Sequence, residues 1–181
     1  SGAIDTGSAT DLRSITLNKA DILKIIKIVM APDFLTAPNE LIHPDIKDRY
    51  DLDNGQRDTH YDLGKVTLKP GAAPATGRLL VQFQWFEHDA VNGNFFSVDS
   101  YPVPYEDIPQ YVSKETSDVY ELRDCLDFRP RIDDTGLNFV VGSGASLTEM
   151  PRGDVTADYE YYLARRDKLF LTSKGEFVIK E

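Results

Sequence analysis

A mainly β chain of antiparallel strands is the fold class the sequence predicts, on three observations. In the first, Leu79, Val81, Phe83 and Trp85 fall on one parity while Gln82 and Gln84 hold the other. Period-two alternation of this kind marks a strand with one buried and one wetter face. Second, apolar runs rich in Ile, Val, Tyr and Phe are short and are cut by Pro-Gly, Asn-Gly and Lys-Gly turn pairs, with little helical periodicity between them. Third, no repeat of fixed period is present, which disfavours a propeller or β-helix. Roughly five to eight strands punctuated by turns predict an antiparallel β-sandwich, immunoglobulin- or fibronectin-like, with long loops and a C-terminal hairpin.

Along the chain, residues 1–10 are small and polar and are expected to be a disordered tail or a cleavage scar. The body of the domain is expected over 11–157. Residues 15–30 carry Ile22, Ile25, Ile26 and Val29 at a spacing that would also line a helical face, with Asn18 or Asp21 as caps. The predominance of β-branched residues decides for strand, and Pro32 ends it. Residues 31–43, holding Pro32 and Pro38 and running into Pro44, read as a long loop. A strand follows at 61–69, closed by Pro70-Gly71. After Leu79–Trp85, Asn92-Gly93 predicts a hairpin turn, with 95–103 as the returning strand. Residues 106–112 read as a short helix or an irregular edge, and 120–128 as a further strand stopped by Pro130. The Gly- and Ser-rich segment 135–151 predicts a loop around a short strand at residues 139–141. Residues 158–181 end in a hairpin, with Leu169-Phe170-Leu171 facing Phe177-Val178-Ile179 across Lys174-Gly175. This last segment is expected to lead into the rest of a larger protein.

The chain has 181 residues, enough for one domain with a core that needs no covalent staple. Its single cysteine, Cys125, cannot form an internal disulfide and reads as a small apolar residue. Such cysteine usage fits folding in a reducing cytoplasm. Thirty acidic against twenty basic residues leave a net charge of −10, which repels a phosphate backbone, so no nucleic-acid partner is expected. No apolar run reaches the length of a membrane span, the greasiest, 22–30, being broken by Lys24 and Lys27. The opening Ser1-Gly2-Ala3 has no basic n-region, so no signal peptide is expected within the sequence.

With three histidines and thirty carboxylates, accidental constellations are easy to find. Asp58, His60 and Asp62 would project from one face of an extended strand, a spacing that suits a metal or an acid–base pair. No second ligand cluster accompanies them, so no metal is expected. Asp51-Leu52-Asp53-Asn54-Gly55 fails as a calcium loop, because aligning Gly55 with the loop glycine puts Leu52 and Tyr50 where oxygen ligands belong. A turn at Asn54-Gly55 is the simpler account. Gly142-Ser143-Gly144-Ala145-Ser146 is neither a nucleophile elbow nor a phosphate loop. Glu87-His88-Asp89 cannot converge, since neighbours on a strand point to opposite faces. If 120–128 is a strand, Leu122, Asp124, Leu126 and Phe128 share one face. Arg123, Cys125, Asp127, Arg129 and Arg131 share the other. Asp124 then needs a partner within an apolar set, for which Arg57 is a candidate. Arg57, Asp124, Asp127, Arg129 and Trp85 are accordingly expected to be structural, with no catalytic residue, no cofactor and no turnover.

The run Leu52-Asp53-Asn54-Gly55-Gln56-Arg57-Asp58, then Tyr61-Asp62, Leu68-Lys69-Pro70-Gly71, Phe95-Phe96-Ser97-Val98-Asp99-Ser100-Tyr101, Ile108-Pro109, Leu122-Arg123-Asp124 and Asp127-Phe128-Arg129-Pro130-Arg131, resembles an uncharacterised domain. That domain occurs in large virion structural proteins of contractile-tailed bacteriophages, including phages of cyanobacteria. Tyr161-Tyr162-Leu163-Ala164-Arg165-Arg166-Asp167-Lys168-Leu169, running into Lys174-Gly175-Glu176-Phe177, is similar to the segment that follows it there, where a proline usually stands in place of Ala164. The resemblance covers the chain from about Leu12 onward and implies a virion component of tail, baseplate or tail fibre, assembled in the host cytoplasm. It implies other virion proteins as partners, with self-association into a homo-oligomer allowed for, and it transfers no catalytic residue. A carbohydrate-binding host-recognition module is the alternative, for which Trp85 and the nine tyrosines could supply stacking faces, although Trp85 falls on the expected core side. A glycan hydrolase would need two carboxylates facing across a cleft. Exposed aromatic rings in a groove would favour the carbohydrate alternative, and a desolvated acid pair the hydrolase.

Overall fold

The computed structural model describes residues 1–87, 95–141, 143–144 and 166–180. The described residues hold ten strands: β1 (Gly2–Asp5), β2 (Ser14–Ala20), β3 (Ile22–Met30), β4 (Tyr50–Asp53), β5 (Leu63–Leu68), β6 (Leu79–Trp85), β7 (Gln110–Val112), β8 (Val119–Glu121), β9 (Lys168–Leu171) and β10 (Phe177–Lys180). They form two three-stranded sheets, ordered β1-β6-β3 and β2-β5-β4, and two ribbons, β7-β8 and β9-β10. Every strand pair is antiparallel. Among the described residues the only helical pieces are single 3₁₀ turns, such as Lys47–Arg49 and Leu122–Asp124. The protein is therefore mainly β, as the alternation and turn pattern predict.

Both three-stranded sheets line one core. Ile15 and Leu17 of β2, Tyr50 of β4 and Val66 of β5 meet Ile22 and Ile28 of β3 and Leu79, Val81 and Phe83 of β6. On β6 the expected parity holds. Leu79 and Val81 are 0% exposed and Phe83 2%, while Gln82 and Gln84 are half-buried on the other face. Trp85 lies on the core side but at its margin, half-buried, with the Lys19 ammonium 5.3 Å from its ring centroid. Burying an apolar side chain of this class contributes about 1.5–3 kcal/mol, which makes β6 the energetic centre of the fold.

Residues 15–30 are strand, but two strands rather than one. At Asp21 the backbone turns to φ 54°, a left-handed value that Asp tolerates better than β-branched neighbours would. The chain thereby passes from β2, paired with β5, to β3, paired with β6. Residues 31–43 form the expected long loop, tied by the Asp33 carboxylate, which accepts the N–H groups of Leu35 and Thr36 at 2.8 and 2.7 Å. The C-terminal hairpin has the expected register, with Leu171 opposite Phe177, Phe170 opposite Val178 and Leu169 opposite Ile179; Gly175 supplies the positive φ of its turn.

Other expectations are corrected. The amino terminus is not loose: β1 pairs with β6, Gly2 opposite Phe83 and Asp5 opposite Leu80, and Arg78 donates to Asp5 at 2.5 and 2.6 Å. Edge pairing rests on backbone N–H and C=O groups that every residue carries, so small polar side chains do not reveal it. Residues 95–103 are not a strand. Phe96 makes one bridge to Asp127, then the chain turns as a 3₁₀ piece at Val98–Ser100. Residues 106–112, expected as a short helix or an irregular edge, hold something of each and need no correction: a 3₁₀ turn, Tyr105–Asp107, leads into β7, a strand of a two-stranded ribbon. The strand expected over 120–128 stops at Glu121, where Leu122–Asp124 turns as 3₁₀. Around residue 139 a single bridge joins Ile132 and Phe139. The expected turn at Asn92-Gly93 and residues 142 and 145–151 of the Gly- and Ser-rich segment lie outside the described residues, as do Tyr161 to Arg165 of the second similar run.

Candidate functional site

The 3₁₀ turn after β8 decides which carboxylate of this segment is buried. Had the strand continued, Asp124 would share a face with Leu122, Leu126 and Phe128. Instead Leu122 is buried, Asp124, Leu126 and Phe128 are exposed, and Asp127 is only 8% exposed. Asp124 accepts the Tyr105 hydroxyl at 2.6 Å near the surface. Arg57, a candidate partner for it, instead grips Asp53 with two N–H groups at 2.9 and 3.0 Å and reaches Asp62 at 3.3 Å. The buried acid–arginine pair expected at Asp124, with Arg57 as candidate partner, is therefore found at Asp127–Arg129, whose residues fall on the face assigned to the arginines.

Asp127 and Arg129 form the centre of a clamp. The Arg129 Nε and Nη2 groups donate to the Asp127 carboxylate at 3.0 and 2.7 Å. Tyr61, fully buried, donates its hydroxyl to the same carboxylate. Arg129 Nη1 donates to the Arg57 carbonyl at 2.8 Å and Nη2 to the Tyr61 hydroxyl oxygen at 3.0 Å. The guanidinium carbon lies 4.4 Å from the ring centroids of both Tyr61 and Tyr111, so two π faces contact the cation. Burial works against the charge on Arg129, but the hydrogen bonds and charge of Asp127 outweigh it and raise its pKa. Burial also pushes the Tyr61 phenol well up, so it remains a donor. Alongside, buried Gln56 donates to buried Asp21 at 3.0 Å.

Backbone bonds thread the same clamp. Tyr61 N–H donates to the Pro130 carbonyl and Ile132 N–H to the Tyr61 carbonyl, each at 2.8 Å. Phe96 and Asp127 exchange N–H···O bonds at 2.7 and 2.8 Å. Segments far apart in sequence, around 56–61, 96 and 127–132, are thus held by a charged pair whose groups are mutually satisfied.

Asp58, His60 and Asp62 diverge. Asp58 accepts the hydroxyls of Tyr111 and Ser113, His60 meets Thr59 and the Phe139 ring edge, and Asp62 turns to Arg57. The segment bends here instead of running extended, so one-face spacing does not apply. Among the described residues no group of three His, Cys, Asp or Glu is placed to hold a metal ion.

An open cleft of about 480 Å³ lies beside the clamp, between Asp58, the β7-β8 ribbon and residues 122–129. Tyr111 and Tyr120 are cross-strand partners, so both rings project from one face of the ribbon. They stack with centroids 6.2 Å apart and planes 21° apart. Tyr111 is buried against Arg129, whereas Tyr120 is 46% exposed at the cleft wall. Asp58 is held below the usual carboxylate range by the hydroxyls of Tyr111 and Ser113. Tyr111 is pushed up to about 12 by burial and by the neighbouring Asp58 carboxylate. Cys125 borders the cleft with its thiol pushed up by burial and by Asp127, which disfavours a nucleophilic thiolate.

Sequence reasoning named Asp127, Arg129 and Arg57 but missed Tyr61, Gln56, Asp21 and Tyr111. Gln56 carried no signal beyond its turn and its place in a run of the phage resemblance, and Asp21 none beyond a possible cap. Tyr61 did carry one, as a large aromatic within a polar turn segment, which requires some distant element to cover it. Comparison with known proteins finds no similar family model, no similar curated protein and no similar solved structure.

Proposed function

We propose that the chain is a structural domain of a bacteriophage tail, baseplate or tail fibre protein, acting in virion assembly through contacts with other virion proteins and without catalytic turnover. Its two sheets and shared core fit a sandwich that serves as a rigid body. The observation that carries this reading is the convergence of the runs behind the phage resemblance. Gln56, Arg57, Tyr61, Phe96, Asp127 and Arg129 come from separate runs of that resemblance and meet in one clamp. Their charges and hydroxyls hold one another, which suits residues that maintain shape under load. The net charge of −10 keeps such a domain soluble before assembly and favours partners with basic patches.

The test is cross-linking mass spectrometry on purified particles of the phage that encodes the chain. Surface lysines such as Lys114 and Lys69 are expected to cross-link to other virion proteins. Absence of the chain from purified particles would overturn the reading.

A further inference from the structure

We propose that the cleft beside the clamp binds a neutral pyranose unit of a glycan, with the Tyr120 ring as its stacking face and the Asp58 carboxylate as acceptor for one of its hydroxyls. This goes beyond an assembly role and stands independently of it.

A pyranose has two kinds of surface: an apolar face of C–H groups and a rim of hydroxyl donors. A site for it needs a fixed, partly exposed aromatic ring next to acceptors whose geometry is set in advance. The cleft supplies both. Tyr120 is almost half exposed, yet its orientation is set by cross-strand pairing and by the Tyr111 ring stacked behind it. Tyr111 is fixed in turn by Arg129 on its face and by Asp58 at its hydroxyl. Exposed Leu126 extends the apolar wall.

Asp58 is the acceptor with capacity to spare. One of its oxygens takes the Tyr111 hydroxyl and the other takes Ser113. The Lys114 N–H also donates to this carboxylate, so of its roughly four lone-pair sites one remains for a ligand hydroxyl, and these bonds favour its ionised form. Asp127, by contrast, is occupied by Tyr61 and Arg129. The charges select against an anion: two carboxylates, Asp58 and Asp127, line the cleft against one guanidinium, Arg129, whose N–H groups already point at Asp127 and the Arg57 carbonyl. The volume, about 480 Å³, lies in the ordinary range for small-ligand sites.

The full chain is titrated with maltotriose, cellotriose, mannotriose and triacetylchitotriose, and with trigalacturonate as the acidic counterpart, by saturation-transfer NMR and calorimetry. At least one neutral trisaccharide is expected to bind saturably with a dissociation constant near millimolar, and Tyr120→Ala to weaken it about tenfold, a change of about 1.4 kcal/mol. Asp58→Asn is expected to weaken it as well. Tyr120→Ala removes an exposed ring, so its melting temperature should match the parent and confirm that binding loss is not unfolding. Three results would overturn the proposal: no saturable binding of any of the four neutral sugars, binding that Tyr120→Ala leaves unchanged, or tighter binding of trigalacturonate than of the neutral sugars.

Discussion

Asp124 and Asp127 belong to one short segment but differ in what removing them exposes. Asp127 and Arg129 have side chains 7% and 12% exposed, so truncating the acid leaves a guanidinium buried without its counter-charge. Asp127→Ala should therefore cost about 3–5 kcal/mol in urea unfolding, while Asp124→Ala, at the surface, should change stability by about 0.5 kcal/mol or less. Equal losses would show that the clamp does not bear on stability. Asp53 supplies the pH dependence. Burial pushes its carboxyl up, but the hydrogen bonds from Arg57, Lys114 and the Gly55 N–H outweigh burial and hold it at about 2, against a normal 3.8. A folded pKa below the unfolded one gives stability that is complete above the unfolded value and lost as pH falls through the folded value. This contribution, about 2 kcal/mol, should be intact above about pH 5 and vanish between about pH 4 and pH 2. Asp53→Asn should flatten the stability profile in that window, and a variant profile parallel to the parent would refute the assignment.

Among the elements, β6 carries the most weight because it is the central strand of its sheet, flanked by β1 and β3, and its inward parity is sealed. Phe83→Ala should destabilise by about 3–5 kcal/mol, whereas Gln84→Ala, on the wetter face, should stay within about 0.5 kcal/mol; thermal melts of the two variants distinguish them. The turn after β4 is equally constrained by its backbone. Gly55 has φ +89°, and a Cβ there would fall 2.1 Å from the Asp62 carbonyl oxygen. Gly55→Ala should therefore cost more than about 1 kcal/mol, and it should loosen the Arg57 grip that starts from this turn. A Gly55→Ala protein as stable as the parent in urea would show that the turn relaxes freely.

At the scale of the whole molecule, stability is unevenly distributed. Strands β3 and β6 close over the shared core, while Leu169, Phe170, Leu171, Phe177, Val178 and Ile179 of the β9-β10 ribbon are all exposed. A two-stranded ribbon without a covered face is marginal in water. Amides of β9 and β10 should therefore exchange with solvent orders of magnitude faster than those of β3 and β6 in native-state hydrogen exchange. Equal protection would mean that the ribbon is covered in solution. The contrast between ribbon and core also separates what was legible in the sequence from what was not. Leu79 to Trp85, the paired runs around Lys174-Gly175 and the proline-rich loop at 31–43 were readable because side-chain parity and turn chemistry are local properties. The sequence by itself determined a mainly β chain, the buried face of β6 and the register of the last hairpin. It did not determine that Gly2–Asp5 would complete a sheet, that Asp21 would carry the chain from one sheet to the other, or that a 3₁₀ turn at Leu122–Asp124 would bury Asp127 and expose Asp124. Those outcomes belong to the tertiary structure alone. Backbone pairing at an edge ignores side-chain hydropathy, and the partner of a buried charge is chosen by whichever distant segments the fold brings within hydrogen-bonding distance.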